Sequence, residues 1–251
     1  MDPAGLRRKA VKEGVPAAII EKDYALSVAL KQLSKTRLKG KLMFKGGTAI
    51  KKVYFRDARF SEDLDFTVNQ GIEPRGILDE LKTALENKDM EGIRFGVFEH
   101  EKTGAGLRLA LKFTVFLEQP QRIRFDFSFR ENAVLPPIER AIFDDYSLGE
   151  TNILVLAPEE LLAEKIQAVF SRTAARDLYD LWFLLKHGVK PDESLIQKKF
   201  AYYDETYVPV TLKDRLDGFR PKWKQSLDQY IREVPAFEAI SKELLKMLQL
   251  R

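Results

Sequence analysis

The sequence contains no cysteine, which excludes disulfide bonds and thiolate metal ligands. It contains only two histidines, His100 and His187, and neither has a partner typical of a metal site, so histidine-based catalysis is not expected. No apolar run approaches the roughly 18 residues that suggest a membrane span. The first 16 residues lack the apolar segment of a signal peptide. Together these absences predict a cytoplasmic protein.

The charge is nearly balanced, because 42 basic residues face 38 acidic ones and leave a net charge of +4. Such a charge permits an anionic partner without demanding one. Hydrophobic residues make up 45% of the chain and charged residues 32%, as in ordinary globular proteins. A chain of 251 residues is long enough for one large domain or two smaller ones.

The chain up to about residue 150 mixes helical and strand patterns. Apolar residues at helical spacing predict helices at 16–34 and 74–87. Short apolar or alternating runs predict strands, and these lie at 41–44, 62–68, 93–100, 106–117 and 122–130. The fold class predicted for residues 1–150 is therefore α+β, with a mixed β-sheet and flanking helices.

The pattern changes after residue 150. Residues 158–188 are strongly helical, with a break near 171–173 and a glycine stop at Gly188. Further helices are predicted at 193–202 and 223–250, and no strand is predicted. We therefore expect an all-helical C-terminal domain at residues 151–251.

Two aspartates, Asp63 and Asp65, lie one residue apart in the predicted strand EDLDFTV. Alternation along a strand places both on one face. Paired carboxylates can hold a hard cation such as Mg²⁺, and two such ions about 4 Å apart promote phosphoryl displacement. Asp126, on the polar face of RIRFDFSFR, would be a third carboxylate if the two strands are neighbours. The alternative for an isolated aspartate pair is a solvated strand face.

A glycine pair, Gly46-Gly47, follows the predicted strand KLMF and precedes a short predicted helix, TAIKKVYF. Backbone N–H groups at such a turn suit a phosphate, and glycine lets the backbone approach a ligand closely. Such a pair alone is more commonly a plain turn. The order strand, glycine turn, short helix and aspartate strand is more informative than either motif.

These motifs carry a resemblance to a known family. The order of motifs resembles the nucleotidyltransferase motif of the DNA polymerase β superfamily. More closely, EKDYALSVAL, FKGGTAIKKVYFRDARFSEDLDF and EKIQAVFSRTAARDLYDLW resemble the AbiEii/AbiGii type IV toxin family, which includes the MenT toxins. The resemblance runs from about residue 16 to 186. It implies a nucleotidyltransferase domain at 1–150, followed by the helical C-terminal domain.

The resemblance also implies an activity. Members transfer a nucleoside monophosphate from an NTP, with pyrophosphate leaving, and relatives modify the acceptor end of tRNA and block growth. The implied cofactor is Mg²⁺ or Mn²⁺, and the implied partners are NTP, RNA and a cognate antitoxin. A small-molecule nucleotidyltransferase and an inactive nucleotide-binding module are the alternatives. The intact aspartates speak against the second.

Residue roles follow from the same resemblance. The implied metal ligands are Asp63, Asp65 and Asp126, which with Lys165 form the catalytic set; Asp126 would also help deprotonate the attacking hydroxyl. Acidic neighbours Asp57 and Glu62 leave the ligand assignment open. The implied nucleotide-binding residues are Lys45, Gly46, Gly47, Thr48, Ser61, Lys165, Asp177 and Asp180.

Several of these features have ordinary structural alternatives. Lys165 would commonly be a solvated helical lysine, and Arg176-Asp177 an ordinary helix pair. The aromatic residues Tyr179, Trp182 and Phe183 have core spacing rather than that of a base-stacking surface. The segment KDRLDGFRPKWK, residues 213–224, combines five basic residues with Phe219 and Trp223. It predicts either an RNA-binding surface or a loop anchored by two core aromatic residues.

Overall fold

The structure is a computed structural model that describes residues 2–69, 71–101, 106–115, 119–209 and 211–249. The chain divides into two compact units, Met1–Leu156 and Ala157–Arg251. The first unit is built on a β-sheet, and the described part of the second is helical.

Within the described residues, the first unit contains one mixed sheet of eight strands in the order β3-β4-β5-β6-β2-β1-β8-β7. The pairs β2–β6 and β1–β8 are parallel, and the other neighbours are antiparallel. This confirms the predicted mixed sheet. The strands are β1 (Leu42–Lys45), β2 (Asp63–Val68), β3 (Asp89–Met90), β4 (Ile93–Glu101), β5 (Gly106–Thr114), β6 (Gln121–Ser128), β7 (Ile138–Ala141) and β8 (Asn152–Val155).

Helices cover one face of this sheet. Helix α2 contacts β6 and α4, and α4 contacts β4. The side chains on the covered face, such as Leu109, Phe125 and Phe127, are fully buried. The alternate side chains of β5 and β6 form a partly exposed polar face. The helices of this unit are α1 (Pro3–Glu13), α2 (Ala17–Leu33), α3 (Gly46–Ala49), which continues as a π-helical turn (Ile50–Tyr54), and α4 (Pro74–Leu85).

Three strands were not predicted from the sequence: β3, β7 and β8. All are short, and a short run such as NILV in β8 has no period that separates strand from helix. Strand β8 follows residue 150 and pairs with β1 through Phe44 and Val155. The first unit therefore extends to Leu156, beyond the predicted domain end at 150. The predicted strand 106–117 ends at Thr114, and residues 116 and 117 lie outside the described residues.

Helices pack against one another in the second unit, where α5 contacts α6 and α7. The predicted break at 171–173 and the stop at Gly188 are both confirmed. The prediction of one helix at 223–250 is wrong, because a non-helical segment containing Pro235 separates two helices in this range. Residue 250 lies outside the described residues. The helices are α5 (Pro158–Ser171), α6 (Ala175–Lys186), α7 (Glu193–Ala201), α8 (Thr211–Arg215), a 3₁₀ segment (Leu216–Lys222), α9 (Trp223–Leu227) and α10 (Phe237–Met247).

Across the residues that the structure describes, no helix combines the length and the apolar character needed to cross a bilayer.

Candidate active site

The two aspartate strands are neighbours. Strands β2 and β6 run parallel, and Asp65 lies directly opposite Asp126. Neighbouring strands are about 5 Å apart, so these two carboxylates emerge side by side. Asp63 lies on the same face of β2, because Leu64 and Phe66 point into the core. The sheet thus places the three aspartates on one face of two neighbouring strands, a strand adjacency that the sequence did not show.

Aromatic packing supports this part of the sheet from behind. Phe44, Phe66 and Phe127 are cross-strand neighbours on β1, β2 and β6. The ring centroids are 5.4 Å apart in each of the two adjoining pairs. All three side chains are buried. The aspartates therefore project from strands whose opposite face is fixed by core packing.

The charged side chains form a cross-strand row. Lys45 on β1 lies opposite Asp65, and Arg108 on β5 lies opposite Asp126. Like charges on adjacent strands destabilise a sheet unless they are compensated. Arg108 Nε donates a hydrogen bond of 2.8 Å to Asp126 Oδ2, and a terminal guanidinium nitrogen contacts the same oxygen. Lys45 Nζ lies 2.8 Å from Oε2 of the buried Glu131.

The chemistry of the donor set suits a hard divalent cation, which prefers carboxylate oxygens. Among the described residues, however, no three histidine, aspartate or glutamate side chains already form a group that could hold a metal ion. Asp126 is hydrogen-bonded to Arg108, and Arg124 lies 3.9 Å from Asp63. Carboxylate oxygens on neighbouring strands are suitable ligands for a divalent cation. That all three aspartates bind the same cation stays a prediction.

Gly46 lies against Asp65, and two features require glycine there. Its φ of +77° is in the left-handed region, which strains other residues. A Cβ atom would also overlap Asp65 Oδ2 and lie 3.0 Å from Asp65 Cγ. The glycine turn and the aspartate strand are therefore in direct contact, as expected if both serve one site.

Replacing Gly46 with alanine should therefore displace the Asp65 carboxylate. Gly40→Ala is the matched control, because Gly40 has a similar φ of +75° but nothing within 4 Å of the added Cβ. Left-handed strain costs roughly 1–2 kcal/mol in either variant. We expect Gly46→Ala to lose at least about tenfold in nucleotide transfer as well, because misplaced catalytic groups reduce rates steeply. Transfer assays and urea denaturation measure the two effects, and equal activity in both variants would contradict this role for Gly46.

Three further residues near the glycine turn and β2 were singled out in the sequence, and their environments differ. Thr48 is buried, and its hydroxyl donates a 2.5 Å hydrogen bond to the Asp63 carbonyl, so it ties α3 to β2. Ser61 lies just before β2 and is partly exposed. Glu62 forms a 2.7 Å ion pair with Lys22 of α2. That pair gives Glu62 a structural partner and leaves Asp63 and Asp65 as the principal ligand candidates on β2.

In the second unit, Lys165, Asp177 and Asp180 form one buried cluster. Lys165 Nζ lies 2.8 Å from both Asp177 Oδ1 and Asp180 Oδ2. Arg172 Nε donates a 2.8 Å hydrogen bond to the other oxygen of Asp177. Lys165 is therefore not a solvated helical lysine, and Asp177 is bonded to Arg172 as well as to Lys165. Burial raises the pKa of the Asp177 carboxyl, but Lys165 and Arg172 outweigh it, so the pKa lies well below its ordinary value.

This depressed pKa predicts a loss of stability in acid. The ionised Asp177 stabilises the fold above its unfolded pKa of about 4, and this contribution falls as the pH drops toward the lower folded pKa. We expect the difference in free energy of unfolding between wild type and Asp177→Asn to shrink by about 2 kcal/mol between pH 6 and pH 2. Urea denaturation at several pH values measures it. The exposed Asp228 provides the control variant Asp228→Asn; a constant Asp177 difference would contradict the prediction.

The aromatic residues of both segments are core residues, as the spacing of the first three predicted. Tyr179, Trp182 and Phe183 are buried, and so are Phe219 and Trp223. Trp223 Nε1 also donates a 2.8 Å hydrogen bond to the Pro235 carbonyl. The segment 213–224 is thus anchored by its aromatic residues, and most of its exposed side chains are charged.

Two candidate residues were missed by sequence reasoning, Arg108 and Arg172. Arg108 alternates with Leu107 and Leu109 in GLRLALKF, which places it on the polar face of a strand. That pattern does not identify its cross-strand partner. Arg172 immediately follows α5, where the sequence showed only a helix break.

Comparisons with known proteins agree with the fold and the motifs. A family model described as "Nucleotidyl transferase AbiEii toxin, Type IV TA system" matches residues 28–243. An uncharacterized protein of Aquifex aeolicus (strain VF5) is 23% identical over 202 residues, which cover 76% of this chain and 85% of that protein. MenT4, a nucleotidyltransferase toxin from Mycobacterium tuberculosis H37Rv, has a similar structure with a TM-score of 0.79. The structural match is 23% identical and covers 100% of this chain and 89% of that one.

At this identity, the likeness to MenT4 supports a shared fold and nothing finer. The family model is the stronger finding, because it spans well over half of the chain. It confirms the resemblance predicted from the motifs, and this family implies an NTP substrate and an antitoxin partner. This chain belongs to the AbiEii family of nucleotidyltransferase toxins of type IV toxin–antitoxin systems.

Proposed function

We propose that this toxin transfers a nucleoside monophosphate from an NTP to the acceptor end of tRNA, in a reaction that requires Mg²⁺ or Mn²⁺. The observation that carries the proposal is the register of β2 and β6, which sets Asp65 beside Asp126 and Asp63 on the same polar face. Gly46 lies against Asp65, so a glycine turn suited to phosphate adjoins the carboxylates.

The three carboxylates would have different roles, which follow from their positions on β2 and β6. Asp63 and Asp65 would hold the cation, which when bound supplies Lewis acidity at the transferring phosphoryl group. Asp126 lies beside Asp65 and would complete the ligand set and accept the proton of the attacking hydroxyl. Its bond to Arg108 keeps this carboxylate oriented on the polar face.

The nucleotide would be held by the residues around the glycine turn. The backbone of Gly46 and Gly47 can approach the triphosphate closely, and Lys45 would contribute charge beside it. Thr48 acts indirectly, because its hydroxyl is bonded to the Asp63 carbonyl. Ser61 is assigned to a phosphate by family resemblance. We also assign Lys165, Asp177 and Asp180 to nucleotide binding, as one ion-paired cluster rather than as three separate contacts.

The RNA would be held by charge. Lys213, Lys222 and Lys224 are exposed on the segment 213–224, whereas Phe219 and Trp223 are buried and unavailable for stacking. Phosphate contacts made by lysine and arginine weaken as salt rises, because binding releases counterions. Modification of RNA should therefore fall steeply with salt concentration.

The test is to incubate the protein with total RNA, Mg²⁺ or Mn²⁺, and each α-labelled NTP in turn. Label should enter RNA of tRNA size with a limited set of NTPs, and EDTA should abolish it. Reversing both Lys222 and Lys224 to glutamate should weaken labelling of RNA while sparing NTP binding; normal labelling would leave the segment as ordinary surface. If no NTP labels RNA with either metal, a small-molecule acceptor becomes the better hypothesis.

A further inference from the structure

We propose that Arg108 is a positioning residue that holds Asp126 in the cation-free enzyme and competes with the cation for its carboxylate. This inference rests on the proposed metal requirement. Both oxygens of the Asp126 carboxylate become available to a cation only when the guanidinium is displaced.

The geometry of the pair suits exchange rather than a permanent bond. Arg108 and Asp126 are direct cross-strand partners, and two guanidinium nitrogens donate to the same oxygen, Oδ2. The side chains are 42% and 33% exposed. Exposed ion pairs contribute little to stability, so the fold does not depend on this one.

Buried ion pairs in the same unit show the contrast. Lys45 and Glu131 are 12% and 5% exposed, and Lys52 and Asp23 are 3% and 2% exposed. Those pairs lie in places where removing one partner leaves an uncompensated buried charge. The Arg108–Asp126 pair instead lies on the partly exposed polar face, where solvent and a cation can replace either partner.

Other basic residues of this face have contacts with different acids. Lys112 Nζ lies 2.5 Å and Arg122 3.2 Å from oxygens of Glu99, on β4. Arg124 lies 3.9 Å from Asp63. Arg108 is the basic residue directly opposite Asp126, and the register of β5 against β6 fixes this pairing.

A cation that binds through Asp63 and Asp65 meets Asp126 already hydrogen-bonded to a positive group. The two Arg108 nitrogens occupy Oδ2, so a cation that takes this oxygen must displace the guanidinium, and a cation on the other oxygen would lie close to its positive charge. An exposed pair of this kind is worth up to about 1 kcal/mol. Removing Arg108 should therefore tighten cation binding about three- to tenfold, and the gain should require the Asp126 carboxylate.

The experiment is a double-mutant cycle with Mn²⁺ alone, without nucleotide, on the full chain. Free Mn²⁺ is followed by electron paramagnetic resonance in wild type, Arg108→Ala, Asp126→Asn and the double variant. We expect Arg108→Ala to tighten binding three- to tenfold in the wild-type background and less than twofold in the Asp126→Asn background. Arg122→Ala removes the same charge from the same face and should change affinity less than twofold. Arg108→Gln replaces Arg108→Ala if circular dichroism shows that the alanine variant does not fold.

Distinct results separate this inference from the proposed function. If wild type binds Mn²⁺ and removal of Arg108 does not tighten binding, the inference is wrong and the metal requirement stands. An equal gain in the Asp126→Asn background would mean that Arg108 acts through its charge alone, which also overturns it. If wild type binds no Mn²⁺ without nucleotide, Arg108 has no cation to compete with and the inference is overturned, whereas the metal requirement is decided separately by the effect of EDTA on nucleotide transfer.

Discussion

Replacing Asp63 or Asp65 with asparagine should reduce nucleotide transfer by at least about 10³-fold, because metal-assisted charge stabilisation is worth several kcal/mol in the transition state. Both side chains are partly exposed, and the core residues on the opposite face of β2 are Leu64, Phe66 and Val68. An asparagine side chain has nearly the same shape but lacks the negative charge that a divalent cation requires.

The fold should survive either substitution. Neutralising one of two neighbouring like charges relieves repulsion rather than creating it, so thermal unfolding should stay within a few degrees of wild type. Asp79→Asn is the matched control, because Asp79 is an exposed aspartate on α4. Label transfer and thermal unfolding are measured on the same preparations. Full activity in both β2 variants would show that the paired aspartates are only a polar strand face.

Replacing Lys165 with alanine should lower the free energy of unfolding by about 3–5 kcal/mol, because it removes one partner of a buried ionic cluster. Asp177 and Asp180 are both buried, and each has an oxygen 2.8 Å from Lys165 Nζ. Arg172 still contacts Asp177 but is largely exposed and lies on its other oxygen. Urea denaturation measures the change.

A surface lysine supplies the control for this prediction. Lys186 is half-exposed and lies 4.0 Å from Glu243, so Lys186→Ala should cost less than about 1 kcal/mol. The triple variant Lys165→Met, Asp177→Asn, Asp180→Asn removes the charges together and should recover part of the lost stability. Wild-type stability in Lys165→Ala would show that the cluster does not support the fold.

The effect of Lys165→Ala on nucleotide transfer must be measured separately from its effect on folding stability. If Lys165 also binds the triphosphate, Lys165→Ala should raise the apparent KM for NTP or lower kcat. That kinetic effect is meaningful only at a temperature where the variant remains folded. Steady-state kinetics in dilute buffer well below the measured unfolding midpoint meet this condition. An unchanged KM and kcat in the folded variant would confine Lys165 to a structural role.

Local pattern was sufficient for much of the fold. The alternation in EDLDFTV and RIRFDFSFR gave β2 and β6, and it assigned their aspartates to the polar face. Helical spacing and Pro16 gave α2, and the break near 171–173 separated α5 from α6. Pattern failed for β3, β7 and β8, because strands of two to four residues are too short to show a period.

The sequence by itself determined the chemical groups of the candidate site, their strand faces and the family, because side-chain type and period of two are local properties. Tertiary structure alone decided which groups meet. The parallel pairing of β2 with β6 places Asp65 beside Asp126. The antiparallel pairing of β5 with β6 makes Arg108 the cross-strand partner of Asp126. The packing of α5 against α6 brings Lys165 into contact with Asp177 and Asp180. Strand order and register depend on contacts between residues far apart in the chain, which no local pattern encodes.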